Sequence, residues 1–151
     1  MQDNQDFRRA DRTDLPQVLD LLTQARLPLA GVEAHLNGFV LAFRDDGLIG
    51  CAGLERYGAA ALLRSVAVAE GERNSGLGKQ LVRRLLEQAR AEGVESIILL
   101  TTTAAAFFQK LGFTTISRAE APQAVQCSVE FQEACPASAT VMRLDLAELQ
   151  N

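Results

Sequence analysis

The stretch Val66-Ala-Val-Ala-Glu-Gly-Glu-Arg-Asn-Ser-Gly-Leu-Gly-Lys79 decides how the chain is read. An apolar strand over Ala61–Val68 runs into a loop holding Gly71, Gly76 and Gly78, and a helix starts at once. Glycine reaches φ > 0 and lets a ligand approach the backbone closely. The first N–H groups of a helix have no internal partner and lie at the positive end of its dipole. A strand, loop and helix in this order therefore suit a phosphate or pyrophosphate. Lys79 adds positive charge at the helix start. The helix shows in Leu81, Val82, Leu85, Leu86 and Ala89, with Arg83, Arg84, Glu87 and Arg90 on the other face, and Gly93 closes it.

Three phosphate-binding patterns separate here. The G-x-x-x-x-G-K-[ST] loop needs a glycine where Arg73 stands and a Ser or Thr where Gln80 stands. The dinucleotide pattern G-x-G-x-x-G needs Gly or Ala where Leu81 stands. Arg73-Asn-Ser-Gly76-Leu-Gly78 follows a third pattern, Q/R-x-x-G-x-G/A.

Upstream, Phe7–Ala10 reads as a first strand. Thr13 and Asp14 offer N-cap oxygens, and Pro16 sits in the first turn of a helix over 15–25. Residues 29–37 form a second, weaker helix. Phe39–Arg44 and Leu48–Arg56 flank Asp45-Asp46-Gly47, a hairpin signal, and a turn near Tyr57–Ala60 leads to the third of three antiparallel strands. Downstream, Ser96–Thr101 is apolar without alternation, as in a strand covered on both faces. Thr103–Leu111 is a short helix closed by Gly112, Phe113–Ser117 a strand, 119–139 irregular, and Ala139–Leu146 a last strand. The run from 61 to 101 is a βαβ unit preceded by antiparallel strands, so the class is α/β (α+β mixed) with a mixed sheet.

With 151 residues, 48% apolar and 23% charged, the chain has the size and composition of one domain, 1–151, whose core needs neither disulfide nor metal. A net charge of −4 argues against a general nucleic-acid binder. No apolar run reaches the ~20 residues of a membrane span, and the polar segment Met1–Arg9 does not resemble a signal peptide. Cys51, Cys127 and Cys135 are an odd set without metal-ligand spacing. They read as small buried hydrophobes in a reducing, cytoplasmic compartment.

The signature Arg73–Gly78 in this context resembles the GNAT acyl-CoA-dependent N-acetyltransferases. The strand ending at Val68, the strand Ile97–Thr101 and the segment Phe107-Phe-Gln-Lys-Leu-Gly-Phe113 all follow that family's order. The resemblance implies a central mixed, splayed sheet of about six to seven strands flanked by about four helices. It implies acetyl-CoA in the splay as cosubstrate and a small amine as acceptor, with no role for nucleic acid or membrane. A homodimer is compatible with it. The backbone of Val66, Ala67 and Val68 would bind the pantetheine arm. The loop Arg73, Asn74, Ser75, Gly76, Leu77, Gly78 and Lys79 would hold the pyrophosphate, and Phe107 and Phe108 would flank the thioester.

Two positions depart from the family pattern. A strand glutamate used as base in many members is Leu62 here, and a tyrosine used as thiol acid is Phe108. A turn centred on Ala59-Ala60 sets Glu55 opposite Arg64 and Tyr57 opposite Leu62. Glu55 is then the candidate base, and Arg64 and Tyr57 are candidate substrate contacts, with Arg64 an anchor for an anionic group. The alternative is a cross-strand salt bridge without catalytic function. His35 either titrates near neutral pH or sits in a surface or packing role. Glu130, with Phe131 and Cys135-Pro136, belongs to a segment that completes acceptor pockets in this family. Gly53–Gly58, Leu62–Val66, Leu99–Ala104, Phe107-Phe108 and Glu130-Phe131 with Cys135-Pro136 together resemble the family members encoded beside arsenic-resistance genes, which implies an arsenical or phosphinate amino acid as acceptor. A non-catalytic acyl-CoA-binding module and a protein N-acetyltransferase stand as alternatives.

Overall fold

The computed structural model describes residues 5–129, 131–132 and 138–148. Its strands are β1 (Gln5–Arg9), β2 (Phe39–Arg44), β3 (Gly47–Tyr57), β4 (Ala60–Val68), β5 (Ser96–Thr101), β6 (Thr114–Ile116) and β7 (Thr140–Asp145). The α-helices are α1 (Leu15–Gln24), α2 (Leu77–Ala91), α3 (Ala105–Lys110) and α4 (Gln123–Gln126). The seven strands form one sheet in the order β1-β2-β3-β4-β5-β7-β6, and β4 with β5 is the parallel pair. Residues 29–37, expected as a helix, hold only the 3-10 turns of Glu33–Gly38, interrupted at His35, where φ is −114°. Gly31 and Gly38 flank a stretch too short and too broken to carry α-helical periodicity.

Alternation along the strands sorts the core. Val40, Ala52, Leu54, Ala61, Leu63, Ile97 and Leu99 pack under the apolar stripe of α2, Leu77 to Ala89. Phe39, Leu41, Cys51 and Ala67 pack under Val18, Leu21 and Leu22 of α1 on the opposite face. Farther along that face, Leu62, Ile98 and Leu100 meet Val125 of α4 and Phe131. Strand β5 is thus covered on both sides, as its unbroken apolar run required. The cysteine expectation holds in part: Cys51 is buried, and burial pushes its thiol up to about 12. Cys127 is exposed instead, and Cys135 lies outside the described residues.

Gly53 marks the tightest fit between β3 and the α1 face. A Cβ there would lie less than 3.0 Å from three atoms of the Phe39 ring, too close for any real contact. Phe39 is 1% exposed and has nowhere to go. Gly53→Ala is therefore expected to destabilise the chain by about 2 kcal/mol, the cost of overpacking a closed core. A urea midpoint unchanged from the parent would contradict this packing.

The β3–β4 hairpin corrects one expectation. Tyr57 pairs with Ala60, Glu55 with Leu62 and Gly53 with Arg64, so the turn is Gly58-Ala59. Gly58, at φ +70°, supplies the left-handed residue that shortens the turn. Glu55 and Arg64 are therefore diagonal neighbours on one face rather than direct partners. Farther along, Cys51 pairs with Ala67, so Ser65 and Val66 together oppose Ala52. This is a β-bulge, with Ser65 at φ +60°. It turns Val66 and Val68 onto the α2 face that Ala61 and Leu63 occupy before it.

Candidate functional site

Strands β4 and β5 pair over three residues only, Ala60–Leu62 with Ser96–Ile98. Beyond Leu62 they diverge. The gap opens into a cleft of about 1190 Å3. Ser65–Val68 form one wall and Leu99–Thr101 the other, Phe107 and Phe108 of α3 close one side, and Ala25–Pro28 flank another.

The cleft runs to the N-terminus of α2. The loop before this helix holds Asn74 at φ +66° and Gly76 at φ +85°. Asparagine tolerates the left-handed region and glycine has no penalty there. Gly76 is the N-cap and brings no side-chain oxygen to the first helical amides. A Cβ built on Gly76 meets nothing within 4 Å, so the space in front of those amides is open. These features fit a phosphate group, with Lys79 beside it. The loop is braced from behind. Arg44 donates to both carboxylate oxygens of Glu72, at 3.0 and 2.7 Å, and holds that carboxyl below its usual range. Ser75 Oγ donates to the Glu72 carbonyl, and Arg73 Nε to the Val68 carbonyl at 3.3 Å.

At the narrow end, where β4 leaves β5, lies a buried polar cluster. Glu55 is 1% exposed. Its carboxylate accepts from Arg64 Nη1 at 2.6 Å and from Tyr57 Oη at 2.6 Å. His35 Nε2 stands 3.9 Å away. Arg64 also donates from Nε to Ser65 Oγ at 3.0 Å and from Nη2 to the Pro28 carbonyl at 3.2 Å. A Cβ on Gly31, at φ +85°, would lie 2.9 Å from Arg64 Nη1, so glycine is what lets the loop after α1 close over the pair. Burial pushes the Glu55 carboxyl up, but hydrogen bonds from Ser128, Tyr57 and Arg64 outweigh it and hold the group below the usual range. The Tyr57 hydroxyl, buried beside that anion, rises to about 12.

A carboxyl whose pKa is lower folded than unfolded stabilises the fold above its unfolded value and loses that contribution as pH falls through its folded value. Glu55 behaves so, and so does Asp14, held down chiefly by its hydrogen bonds from Arg8 at 2.8 Å. Stability is expected to fall below about pH 4.5, and Glu55→Gln should flatten that part of the profile. Urea midpoints between about pH 3 and 6 measure it, and parallel curves for parent and variant would exclude the carboxylate as a contributor.

Residues 35–115, over half of the chain, match the model of the acetyltransferase (GNAT) domain. The chain belongs to the GNAT acetyltransferase family. Among similar proteins, the amino-acid acetyltransferase of Edwardsiella ictaluri is 33% identical over 144 residues, covering 87% of this chain and 32% of that protein. The chain thus spans about a third of the length of the curated relatives it matches. N-acetylglutamate synthase from Neisseria gonorrhoeae, solved with coenzyme A and N-acetyl-glutamate, shares the fold with a TM-score of 0.82 at 22% identity, over 97% of this chain and 36% of that one. A Mycobacterium tuberculosis protein solved with CoA has a TM-score of 0.77 at 23% identity, over 93% of this chain and 98% of its own.

Against this GNAT frame the expected site residues divide. Val66, Ala67, Val68, Arg73, Asn74, Gly76, Leu77, Gly78, Lys79, Phe107 and Phe108 all line the cleft. Ser75 does not, because its hydroxyl turns back to Glu72. Arg64 lines the cleft, but its guanidinium is built into the wall with its side chain 0% exposed. Glu55 and Tyr57 are not among the lining residues. Glu130 lies outside the described residues. Ala25–Pro28, Ser65, Glu72 and Leu99–Ala104 line the cleft as well, without having been expected there from the sequence. Ser65 left no readable signal, because a bulge is invisible to alternation. Thr101 did leave one: its Oγ1 accepts from the Ala104 amide at 2.9 Å, a local cap that three consecutive threonines advertise.

Proposed function

We propose that this GNAT domain transfers an acetyl group from acetyl-CoA to the amine of an amino acid or amino-acid analogue. The observation that carries the reading is the splay of β4 from β5, leading from the bare N-terminus of α2 to the buried Glu55–Arg64 cluster. The first amides of α2 and Lys79 hold the pyrophosphate. The backbone of Val66–Val68 hydrogen-bonds the pantetheine arm along the edge that β5 leaves, and Phe107 and Phe108 wall the acyl end. Bound acetyl-CoA supplies the acetyl group as an activated thioester. Ala25–Pro28 form the acceptor-side wall, which Arg64 fixes through the Pro28 carbonyl.

Glu55 takes a different part from the base that its position invited. Its lone pairs serve Ser128, Tyr57 and Arg64, and it is shut from the cleft, so it orients Arg64 while the amine's proton passes to water. The named activity of the curated relatives supports an amino-acid acceptor. The finer reading, an arsenical or phosphinate amino acid, rests on the resemblance of the strings Gly53–Gly58, Leu62–Val66, Leu99–Ala104, Phe107-Phe108 and Glu130-Phe131 with Cys135-Pro136 alone.

Thiol release from acetyl-CoA over a panel of amino acids, glutamate and a phosphinate analogue included, tests the reading. Release with at least one of them is expected. The absence of the strand glutamate and helix tyrosine, at Leu62 and Phe108, favours a non-catalytic acyl-CoA-binding module as the second reading. CoA binding without release for any amine would establish that second reading.

A further inference from the structure

We propose that Ser65 is a catalytic residue of the acetyl transfer, its hydroxyl donating a hydrogen bond to the sulfur as the thiolate departs. The proposal rests on the acetyl-CoA reading above. Ser65 sits three residues beyond Leu62, the last residue of β4 paired with β5, so it lies in the crook where the two strands part. It lines the cleft and is 8% exposed. A non-glycine residue at φ +60° inside a strand costs about 1–3 kcal/mol and persists only where its surroundings hold it. Here two side chains hold it. Cys51 Sγ donates to the Ser65 carbonyl at 3.2 Å, and Arg64 Nε donates to Ser65 Oγ at 3.0 Å.

A serine hydroxyl has one proton to give and two lone pairs. The buried guanidinium occupies a lone pair and polarises the O–H. Among the described residues that proton goes to no acceptor. The other hydroxyls of the cleft wall differ. Thr101 caps the Ala104 amide, while Thr102 and Thr103 are exposed. Leu62 and Phe108 bring no donor at all.

The chemistry asks for such a donor. The amine nitrogen bonds to the acetyl carbon, the carbon–sulfur bond breaks, sulfur keeps the electron pair, and the amine's surplus proton goes to water. A serine hydroxyl is a far weaker acid than a thiol, so Ser65 keeps its proton and stabilises the charge on sulfur. A hydrogen bond to a charged group is worth more than one between neutral groups.

The thiol pKa of bound CoA reads this contact without any acceptor. It is measured from the ultraviolet absorbance of the thiolate, with parent, Ser65→Gly and Ser65→Ala chains saturated with CoA. Glycine accepts the positive φ, so Ser65→Gly removes the hydroxyl without straining the bulge. Both variants are expected to raise the bound thiol's pKa by about one unit, a tenfold shift in thiolate population. Turnover with an accepted amine should fall about 10–100-fold while CoA affinity changes little. An equal thiol pKa in parent and Ser65→Gly overturns the proposal and leaves the acetyl-CoA reading standing. Failure of the parent chain to bind CoA overturns both.

Discussion

Gly76→Glu is expected to abolish CoA binding. Gly76 is the N-cap of α2 at φ +85°, and no atom lies within 4 Å of a Cβ placed there. The variant therefore does not clash. It acts in two other ways. A side chain at positive φ costs about 1–2 kcal/mol. A carboxylate at the N-cap also takes the very amides that would meet the pyrophosphate and sets a like charge against it. Together these predict a loss of more than about 100-fold in affinity, since two like charges at hydrogen-bond distance in a half-buried site repel by several kcal/mol. Gly76→Ala carries the backbone cost alone and should lose no more than about tenfold. Titration calorimetry with CoA separates the two. Near-parental affinity for the glutamate variant would remove the loop from the binding site.

Arg64→Met is expected to destabilise the chain by about 3–5 kcal/mol, the usual cost of breaking a buried ion pair from one side. Glu55 would stay 1% exposed with its cation gone. The hydrogen bond from Tyr57 cannot replace a guanidinium at 2.6 Å. The loop after α1 would also lose its tie to β4, since Arg64 Nη2 holds the Pro28 carbonyl. Adding Glu55→Gln to Arg64→Met removes the stranded charge and should recover at least about 1 kcal/mol at pH 7. Urea unfolding of the two singles and the double closes the cycle. Additive losses would show that Glu55 and Arg64 do not depend on each other.

The sheet was largely readable because its determinants are local. Ser96–Thr101 matches β5 residue for residue, and Leu81 to Ala89 mark the buried stripe of α2. The glycine loop before α2 was readable for a similar reason, since its glycines and its place between strand and helix are contiguous in the chain. What escaped depended on pairing. The two-residue slip in the β3–β4 register follows from the turn falling at Gly58-Ala59, and both Gly58 and Ala60 neighbours allowed either turn. The slip kept Glu55 and Arg64 on one face, so the pair survived while its geometry changed. The bulge at Ser65 shifts every later side chain by one position and has no composition cue. Ala25–Pro28 reach the cleft only because Gly31 lets their loop fold onto Arg64, a contact across more than thirty residues of sequence.

The three-residue parallel pairing has a dynamic corollary. Among the described residues, backbone hydrogen bonds join β1–β4 to β5–β7 along a short seam, and side chains under α2 and under α4 carry the rest. Past the seam, β4 and β5 each present backbone groups toward the other with no partner strand between them. Amides there are the first candidates for solvent exchange. A ligand that lies between them ties the two leaves together as an extra strand does. Deuterium uptake across Val66–Val68 and Leu99–Thr101 should then fall together when CoA is added, which makes the cofactor a temporary member of the sheet.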